Sequence, residues 1–498
     1  MKDGTENSIG TAGQALEWSL IPWDFIDKSI RKLRQRIFRA TREQKWKVVR
    51  NLTKLMLRSY FNLLVSVRKV TQQNKGKKTA GVDGEMVLTP KARMALVRSM
   101  GSHTIWKAKP TRRIYIPKVG KPGQNRPLSI PTIRDRVAQA IVKNALEPCW
   151  EARFEPNSYG FRPGRSIHDA IEQCWNYLKG NSRRPWILDC DLKSAFDQIS
   201  HEHILKAIGP MPGRQRIRAW LKAGYVEADF FHETDSGTPQ GGIISPCLLN
   251  VALHGLQQKL GSKYGCVVYA DDLIVCASTR EQIEAAKSTI EEWLMPRGLI
   301  LHPEKTRIVH INDGFDFLSF NIRKYKGKCL IKPQKEKVHA KLAELRLWLN
   351  KHKQATAENV IRHFNKILPG WANHYSHVVS KQVLSYVSQE IWKMLWKWCL
   401  RRHQKKKKGK YWVAEKYFRP QNGRWRFQSN DGKKTIYLFD VSAVKIERHV
   451  KVKGAASPDD PTLRDYWQKR QERRKGCSRQ RKVTTKARSL TGSDARAV

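Results

Sequence analysis

Two apolar runs, Cys266-Val267-Val268 and Leu273-Ile274-Val275, are separated only by Tyr269-Ala270-Asp271-Asp272. Runs of that length and composition read as strands, and so tight a polar connection joins them as a hairpin. The chain therefore places two adjacent acids at a hairpin tip. An Asp-Asp pair in a turn is usually just solvated, so the meaning of this tip depends on its surroundings.

Those surroundings read as alternating strands and helices. Ile114 and Ile116 alternate with Arg113 and Tyr115 as in a half-buried strand, and the Gly/Pro-rich stretch 119–125 turns it. A helix is expected after Pro131-Thr132. Another should open at Ser166, where Ser166 and Asp169 form a capping-box pattern and Ile167, Ala170, Ile171, Cys174, Trp175 and Leu178 line one face up to Gly180. A short strand at 186–192 ends near Asp191. Thr279 and Gln282 offer a second capping box, for a helix that stops at Pro296 and Gly298, and strands recur at 307–311 and 315–322. This order predicts an α+β unit in which one antiparallel sheet is covered by helices on one face.

The flanks differ. Residues 16–72 carry apolar positions at helical spacing, among them Leu33, Ile37, Trp46, Val49, Leu52 and Met56, and turn formers cluster from Gln73 to Gly84. Helical spacing returns at 335–403, where Trp392, Trp396 and Cys399 share a stripe that reads as core. Beyond it come the basic run Lys405 to Lys408, a small β unit around Thr435 to Val441, and a stretch from about Arg470 whose composition predicts disorder. The resulting divisions are 1–75, 76–330, 331–403, 404–470 and 471–498.

Charge narrows the partners. The chain has 95 Lys+Arg against 44 Asp+Glu, a formal charge of +51, and such a field draws in a polyanion. Small basic structural proteins share that charge, but the 17 Trp and 15 Phe here suit an enzyme-sized protein with real cores. The nine Cys contain no Cys-x-x-Cys pair, which argues against structural zinc and for reduced core thiols, so metal chemistry would rest on carboxylates. No run of 18 apolar residues exists, and Met1 to Ile9 lacks a signal-peptide core, so a cytoplasmic protein with no membrane partner is expected.

Phosphoryl transfer from a nucleoside triphosphate needs two divalent cations about 3.5 to 4 Å apart, and Mg²⁺ takes hard oxygen ligands. Asp271 and Asp272 at the hairpin tip, with Asp191 at the end of another strand, supply them. Tyr269-Ala-Asp-Asp272 resembles the Tyr-x-Asp-Asp motif of reverse transcriptases. Asp191-Leu-Lys-Ser-Ala-Phe-Asp197 resembles their other metal-binding strand, and Gly237-Thr-Pro-Gln-Gly-Gly-Ile-Ile-Ser-Pro246 their template and nucleotide loop. Within that family, Ile116-Pro-Lys118, Arg126-Pro-Leu-Ser-Ile-Pro131, Asn157-Ser-Tyr-Gly-Phe-Arg-Pro-Gly164 and Phe315-Asp-Phe-Leu-Ser-Phe320 are typical of group II intron enzymes. Asn365-Lys-Ile-Leu-Pro-Gly-Trp-Ala-Asn-His-Tyr375 resembles their maturase domain.

The resemblance implies a right-hand polymerase: a helical N-terminal extension, fingers and palm over 76–330, a helical thumb/maturase domain over 331–403, a basic DNA-binding region over 404–470 and a basic tail. It implies two Mg²⁺ ions on Asp191, Asp271 and Asp272. Phe196 would be the steric gate that prefers dNTPs, and Gln240 a contact to nucleotide or template. Lys118 and Arg126 would neutralise the triphosphate, a task that Lys121, Arg112 and Arg113 could share. Tyr269 and Lys305 would lie beside primer and template, though Lys305 also reads as a plain solvated lysine. Asp189 would be secondary and Asp197 structural. Lys405 to Lys408 is either a solvated run or part of the DNA-binding region, whose end Arg448-His-Val-Lys-Val-Lys-Gly454 resembles.

The implied function is RNA-directed DNA synthesis together with binding of the host intron RNA to assist splicing, the intron then being copied at a DNA target that serves as primer. Only a basic tail with the lone Cys477 stands where relatives carry an endonuclease module, so that module is expected to be missing. Three other readings compete. A stand-alone cellular reverse transcriptase is disfavoured by the maturase-like segment. A splicing factor without polymerase activity would have no use for Asp191, Asp271, Asp272, Gln240 and Phe196. A ribosome-associated structural protein would account for the charge but not the motifs.

Overall fold

The computed structural model describes residues 17–101, 107–117, 123–403, 409–421, 424–430 and 435–473. Lys118, Lys121, the run Lys405 to Lys408 and the tail beyond residue 473 lie outside the described residues.

Three helices, α1 (Trp23–Arg42), α2 (Trp46–Arg58) and α3 (Tyr60–Arg68), lead to α4 (Pro90–Gly101). The turn formers at Gln73 to Gly84 interrupt the helices but do not divide the core. Ile37, Leu52, Met56, Leu64 and Val67 pack with Val97, Ile133, Val137, Ile141 and Ala145, the last four on α5 (Ile133–Glu151). Between α4 and α5 run β1 (Thr111–Pro117) and β2 (Asn125–Ile130), paired antiparallel. Thr132 caps α5, its hydroxyl accepting from Asp135 N, as the Pro131-Thr132 start predicts.

Next come α6 (Ile167–Leu178), β3 (Trp186–Asp191), α7 (Ala195–Gln198), α8 (His201–Ile208), α9 (Arg214–Leu221), β4 (Tyr225–Glu227) and β5 (Phe230–His232). The last two join the first hairpin in a sheet of order β2-β1-β4-β5. Then α10 (Ser245–Ala252) and α11 (Leu256–Leu260) lead to the hairpin β6 (Gly265–Tyr269) and β7 (Asp272–Ala277), followed by α12 (Arg280–Leu294) and β8 (Arg307–His310). The palm sheet has the order β6-β7-β3-β8, antiparallel throughout.

The palm sheet is buried on both faces, not one. Leu188, Cys190, Cys266, Val268, Leu273 and Val275 meet helices α5, α8, α10 and α12. Ile187, Val267, Ile274 and Cys276 meet α6 and a second small sheet, β9 (Phe315–Phe317), β10 (Phe320–Tyr325) and β11 (Lys328–Pro333). Strands covered on both sides need no polar alternation, which is why these runs are so uniformly apolar. The strand expected over 315–322 is also broken in two. Leu318 and Ser319 both have positive φ, 49° and 74°, so a tight primed turn reverses the chain between β9 and β10.

Helices α13 (Lys335–Lys351), α14 (Ala357–Tyr375) and α15 (Lys381–His403) build a thumb around Leu342, Leu345, Phe364, Leu368, Leu384, Leu395 and Cys399. The core stripe of α15 runs through Trp398 instead of Trp392 and Trp396. Those two stack on each other, ring centroids 5.4 Å apart at 8°, at the rim of the core, and Trp392 is 37% exposed. α16 (Lys410–Tyr417) and a meander of β12 (Phe418–Gln421), β13 (Arg424–Asn430) and β14 (Thr435–Tyr437) add Val413, Phe418 and Phe427 to the same core, a larger β unit than the sequence suggested.

From about residue 445 the chain leaves the thumb and runs back as a strap. His449 Nε2, Val452 N and Arg470 all donate to Asp169 Oδ1, at 2.9, 2.8 and 2.9 Å. Asp459 takes both Nε and a terminal nitrogen of Arg34 on α1, and that guanidinium also reaches Glu147 on α5. The strap thus ties thumb, palm and N-terminal helices together. The eight described cysteines are free, and seven of them are buried.

Candidate active site

Period-two alternation fixes which side chains share a face of the palm sheet. Asp191 ends β3 and Asp272 begins β7, and the two are direct register partners. Tyr269, which ends β6, pairs with Asp272 from the other side. Asp271 sits in the two-residue turn between the strands, and its carbonyl accepts from Leu192 N at 3.0 Å. The three acids predicted from the sequence therefore lie at one end of the sheet.

The turn itself is held under strain. Ala270 has φ 58°, a left-handed conformation that a Cβ disfavours, and it is buried. Its support comes from the segment Asn157–Gly160. Tyr159 N donates to Val268 O and Val268 N to Asn157 O, both at 2.9 Å, and Asn250 Nδ2 holds Gly160 O at 2.8 Å. Arg162 locks that segment from below. It makes two bonds of 2.9 Å to Glu151 and also reaches the carbonyls of Glu155 and Ser158, in an ion pair with almost no exposure. Sequence reading quoted this motif as a resemblance but gave its residues no role. The adjacent small, aromatic and cationic side chains in Gly160-Phe161-Arg162 were the available signal.

Burial, followed by like charge, sets the electrostatics. Burial, and then the charges of Asp271, Asp191 and Asp189, push the Asp272 carboxyl up to about 7. Burial and Asp191 likewise raise Asp271, against the opposing charges of Arg126 and Lys305. Asp189, one step down β3 on the same face, is pushed up to about 6, chiefly by burial. Among the described residues Lys305 brings a cation to this cluster, its ammonium in contact with Asp191 Oδ2.

Hard carboxylate oxygens at the ends of two strands suit Mg²⁺ by donor chemistry, and burial together with like charge raises the cost of ionising Asp271 and Asp272, a cost that a bound cation would offset. Among the described residues no three acid, imidazole or thiol side chains close around one point. The cluster would hold metal only with ligands from water and substrate phosphates, which is how Mg²⁺ usually binds.

Phe196 lies on α7, five positions beyond Asp191, and is half-buried. Phe161 meets it edge-on with ring centroids 6.1 Å apart, from a left-handed backbone at φ 57°. The Gly/Pro loop packs beside it. Thr238 N donates to Phe196 O, and Gly237 N to Ile199 O at 2.8 Å. A Cβ at Gly237 would lie 2.6 Å from Asp197 O. The Gln240 side chain donates to Asp197 Oδ2 at 3.3 Å, while Gln240 O accepts from Ser129 N on β2. The loop thus spans from palm to fingers. Arg126, on β2, is exposed and counters the charge of Asp271, and Lys118 falls outside the described residues.

Known proteins are similar to this sequence in part. The family model for "Reverse transcriptase (RNA-dependent DNA polymerase)" matches residues 116–322, and that for the N-terminal domain of reverse transcriptase matches 18–100. The model for the group II intron maturase-specific domain matches 338–418. Protein YkfC of Escherichia coli is 31% identical in an alignment of 353 residues that covers 62% of this chain and 87% of that protein. Group II intron-encoded protein LtrA of Lactococcus lactis is 38% identical over 191 residues, 37% of this chain and 31% of LtrA's own length. Maturase-like protein 1 of Euglena gracilis is 28% identical over 60% of this chain and 64% of its own.

Proposed function

We propose that this chain, which belongs to the group II intron reverse transcriptase/maturase family, is an RNA-directed DNA polymerase that binds its host intron RNA, assists its splicing and copies it into DNA at a target-strand primer. The observation that carries the polymerase reading is the register pairing of Asp191 with Asp272, beside Asp271, at one end of the palm sheet, with Phe196 five positions after Asp191 and Gln240 bonded to Asp197.

Asp191, Asp271 and Asp272 would hold two Mg²⁺ ions, which when bound supply Lewis-acid stabilisation of the charge that develops in nucleotidyl transfer. Phe196, braced by Phe161, would act as the steric gate, its ring under the sugar leaving no room for a 2′-hydroxyl. Gln240 is held by its carbonyl and its amide, and so presents the loop backbone at a fixed height to the nucleotide and template. Arg126 and Lys118 would neutralise triphosphate charge, while Tyr269 and Lys305 would act near primer and template. The net charge of +51 supports RNA and DNA as partners. Among the described residues no helix is long and apolar enough to cross a membrane.

The test is to purify the protein from its own cells, sequence the RNA bound to it, and compare Asp271→Ala/Asp272→Ala. A single structured RNA carrying this reading frame, kept by the variant while Mg²⁺-dependent primer extension is lost, supports both halves of the reading. A broad mixture of cellular RNAs with intact polymerisation defeats the intron-specific half. Primer extension that survives in the variant defeats the catalytic half.

A further inference from the structure

Lys305 is held over Asp191 by a built loop. Leu301 bridges Leu192, Lys193 N donates to Ile300 O at 3.0 Å, and His302 N donates to Asp191 O at 2.8 Å. The His302 carbonyl then collects Lys305 N at 3.2 Å, Thr306 N at 3.0 Å and the Thr306 hydroxyl at 2.8 Å. This closed turn fixes the Lys305 backbone to the end of β3, so its ammonium reaches Asp191 Oδ2 without a search. Among the described residues Lys305 is the only cation in ion-pair contact with any of the three acids. Its side chain is 48% exposed and that of Asp191 15%, so the lysine can swing into solvent while the acid stays in place.

We propose that Lys305 is a placeholder: a tethered cation that neutralises the acid cluster in the metal-free enzyme and must be displaced from Asp191 before a divalent ion can bind there. This rests on the reading of Asp191, Asp271 and Asp272 as the metal site. Without a cation, three acids crowded at one sheet end repel one another, and the ammonium on its flexible stem relieves that at no cost in backbone order. A divalent ion that needs the same Asp191 oxygen competes with a partner that never diffuses away. Arrival of a triphosphate changes the balance, because the displaced ammonium gains phosphate oxygens as new partners. Metal and nucleotide loading are thereby coupled through one side chain, and the coupling is reciprocal.

The test uses the full-length, nucleic-acid-free protein and Mn²⁺ as the probe, with binding followed by the loss of the free-ion electron paramagnetic resonance signal. Lys305→Met is expected to bind Mn²⁺ about ten-fold tighter than the unchanged protein, and Lys305→Arg within about two-fold of it. Metal-free Lys305→Met should also unfold at a lower temperature, with the gap closing as Mn²⁺ saturates. Equal or weaker binding by Lys305→Met, with all binding lost in Asp271→Asn/Asp272→Asn, overturns the placeholder and leaves the metal site standing. Tight binding that survives in Asp271→Asn/Asp272→Asn overturns the metal site and the placeholder with it.

Discussion

Gly160 lies directly against Ala270: a Cβ on the glycine would sit 2.3 Å from the backbone nitrogen of Ala270, and 3.0 Å from its Cα. The turn that carries Asp271 is thus pressed into its left-handed conformation by a neighbouring backbone. Two separate motifs meet at this contact.

Gly160→Ala should therefore act on catalysis more than on folding. Backbone atoms cannot yield as a side-chain tip can, so the turn must shift, at a cost of roughly 1 to 3 kcal/mol. The expected outcome is a folded protein whose kcat for primer extension drops at least ten-fold, since displacing reacting groups by about 1 Å is expensive. Unchanged kcat on a defined template-primer would show that the contact is mere packing.

On the proposed assignment of Asp272 to the metal site, metal use should depend on pH. A carboxyl pushed up to about 7 is protonated below neutrality and must lose its proton when metal binds. The Mg²⁺ concentration that half-saturates primer extension should therefore rise on acidification, by up to about ten-fold per unit below pH 7. A half-saturation point that does not move between pH 6 and 8 contradicts this.

Much of this site was legible in the sequence because its parts are local. The hairpin tip, the strand ending at Asp191 and the capping box at Ser166 each fit within a few residues. Long-range relations were not legible. Nothing near Asp169 announces that the capping acid of α6 also holds His449 and Arg470 from 280 and 301 residues away. Nor does helical spacing show that the meander at Phe418 and Phe427 joins the core of α15 and leaves Trp392 and Trp396 at its rim. A reversal at Leu318-Ser319 without Gly or Asn is equally invisible, because neither residue signals positive φ.

Phe196→Ala should relax sugar selection. With the ring gone and only Phe161 remaining, selectivity for dNTP over rNTP is expected to fall on the order of 10- to 100-fold, while dNTP incorporation changes only a few-fold. Single-nucleotide extension with each substrate measures this. Phe161→Ala should move selectivity the same way but less. If Phe196→Ala keeps full selectivity, the gate lies elsewhere.

The strap gives residues 449–470 a structural duty, bonding to Asp169 and Arg34, whatever nucleic acid they also bind. Asp169 is fully buried, and its bonds to His449, Ser166 and Val452 N hold its carboxyl far below the usual range against the cost of burial. Asp169→Ala leaves Arg470 without that partner at a buried site, a loss of roughly 3 to 5 kcal/mol. Thermal unfolding should fall accordingly, and proteolysis should open the chain near residues 445–470. Primer extension on a short generic substrate should weaken too, whereas loss of a pure DNA-binding surface would leave it intact.

His168 sits where the palm, thumb and strap meet, with the rings of His374, His377 and His449 within 5.5 Å, Asp169 beside it in sequence, and its Nε2 bonded to His374 O at 2.8 Å. Burial, then the neighbouring imidazoles, lower it to about 4 despite that bond. An imidazole kept neutral in the fold but free to protonate when unfolded near 6.5 makes the unfolded chain the better proton binder between those values. Stability is therefore whole above about pH 6.5 and is lost as pH falls toward 4, by roughly 1 to 3 kcal/mol for this group. Asp169 does not offset the loss, because its contribution is already complete throughout that window. His168→Gln keeps a donor for the His374 carbonyl without a titrating ring, so it should flatten the slope of unfolding free energy between pH 6.5 and 4 while changing the value at pH 8 little. If the slope survives in His168→Gln, the acid sensitivity belongs to another group, with His254, also lowered to about 4, as the next to replace.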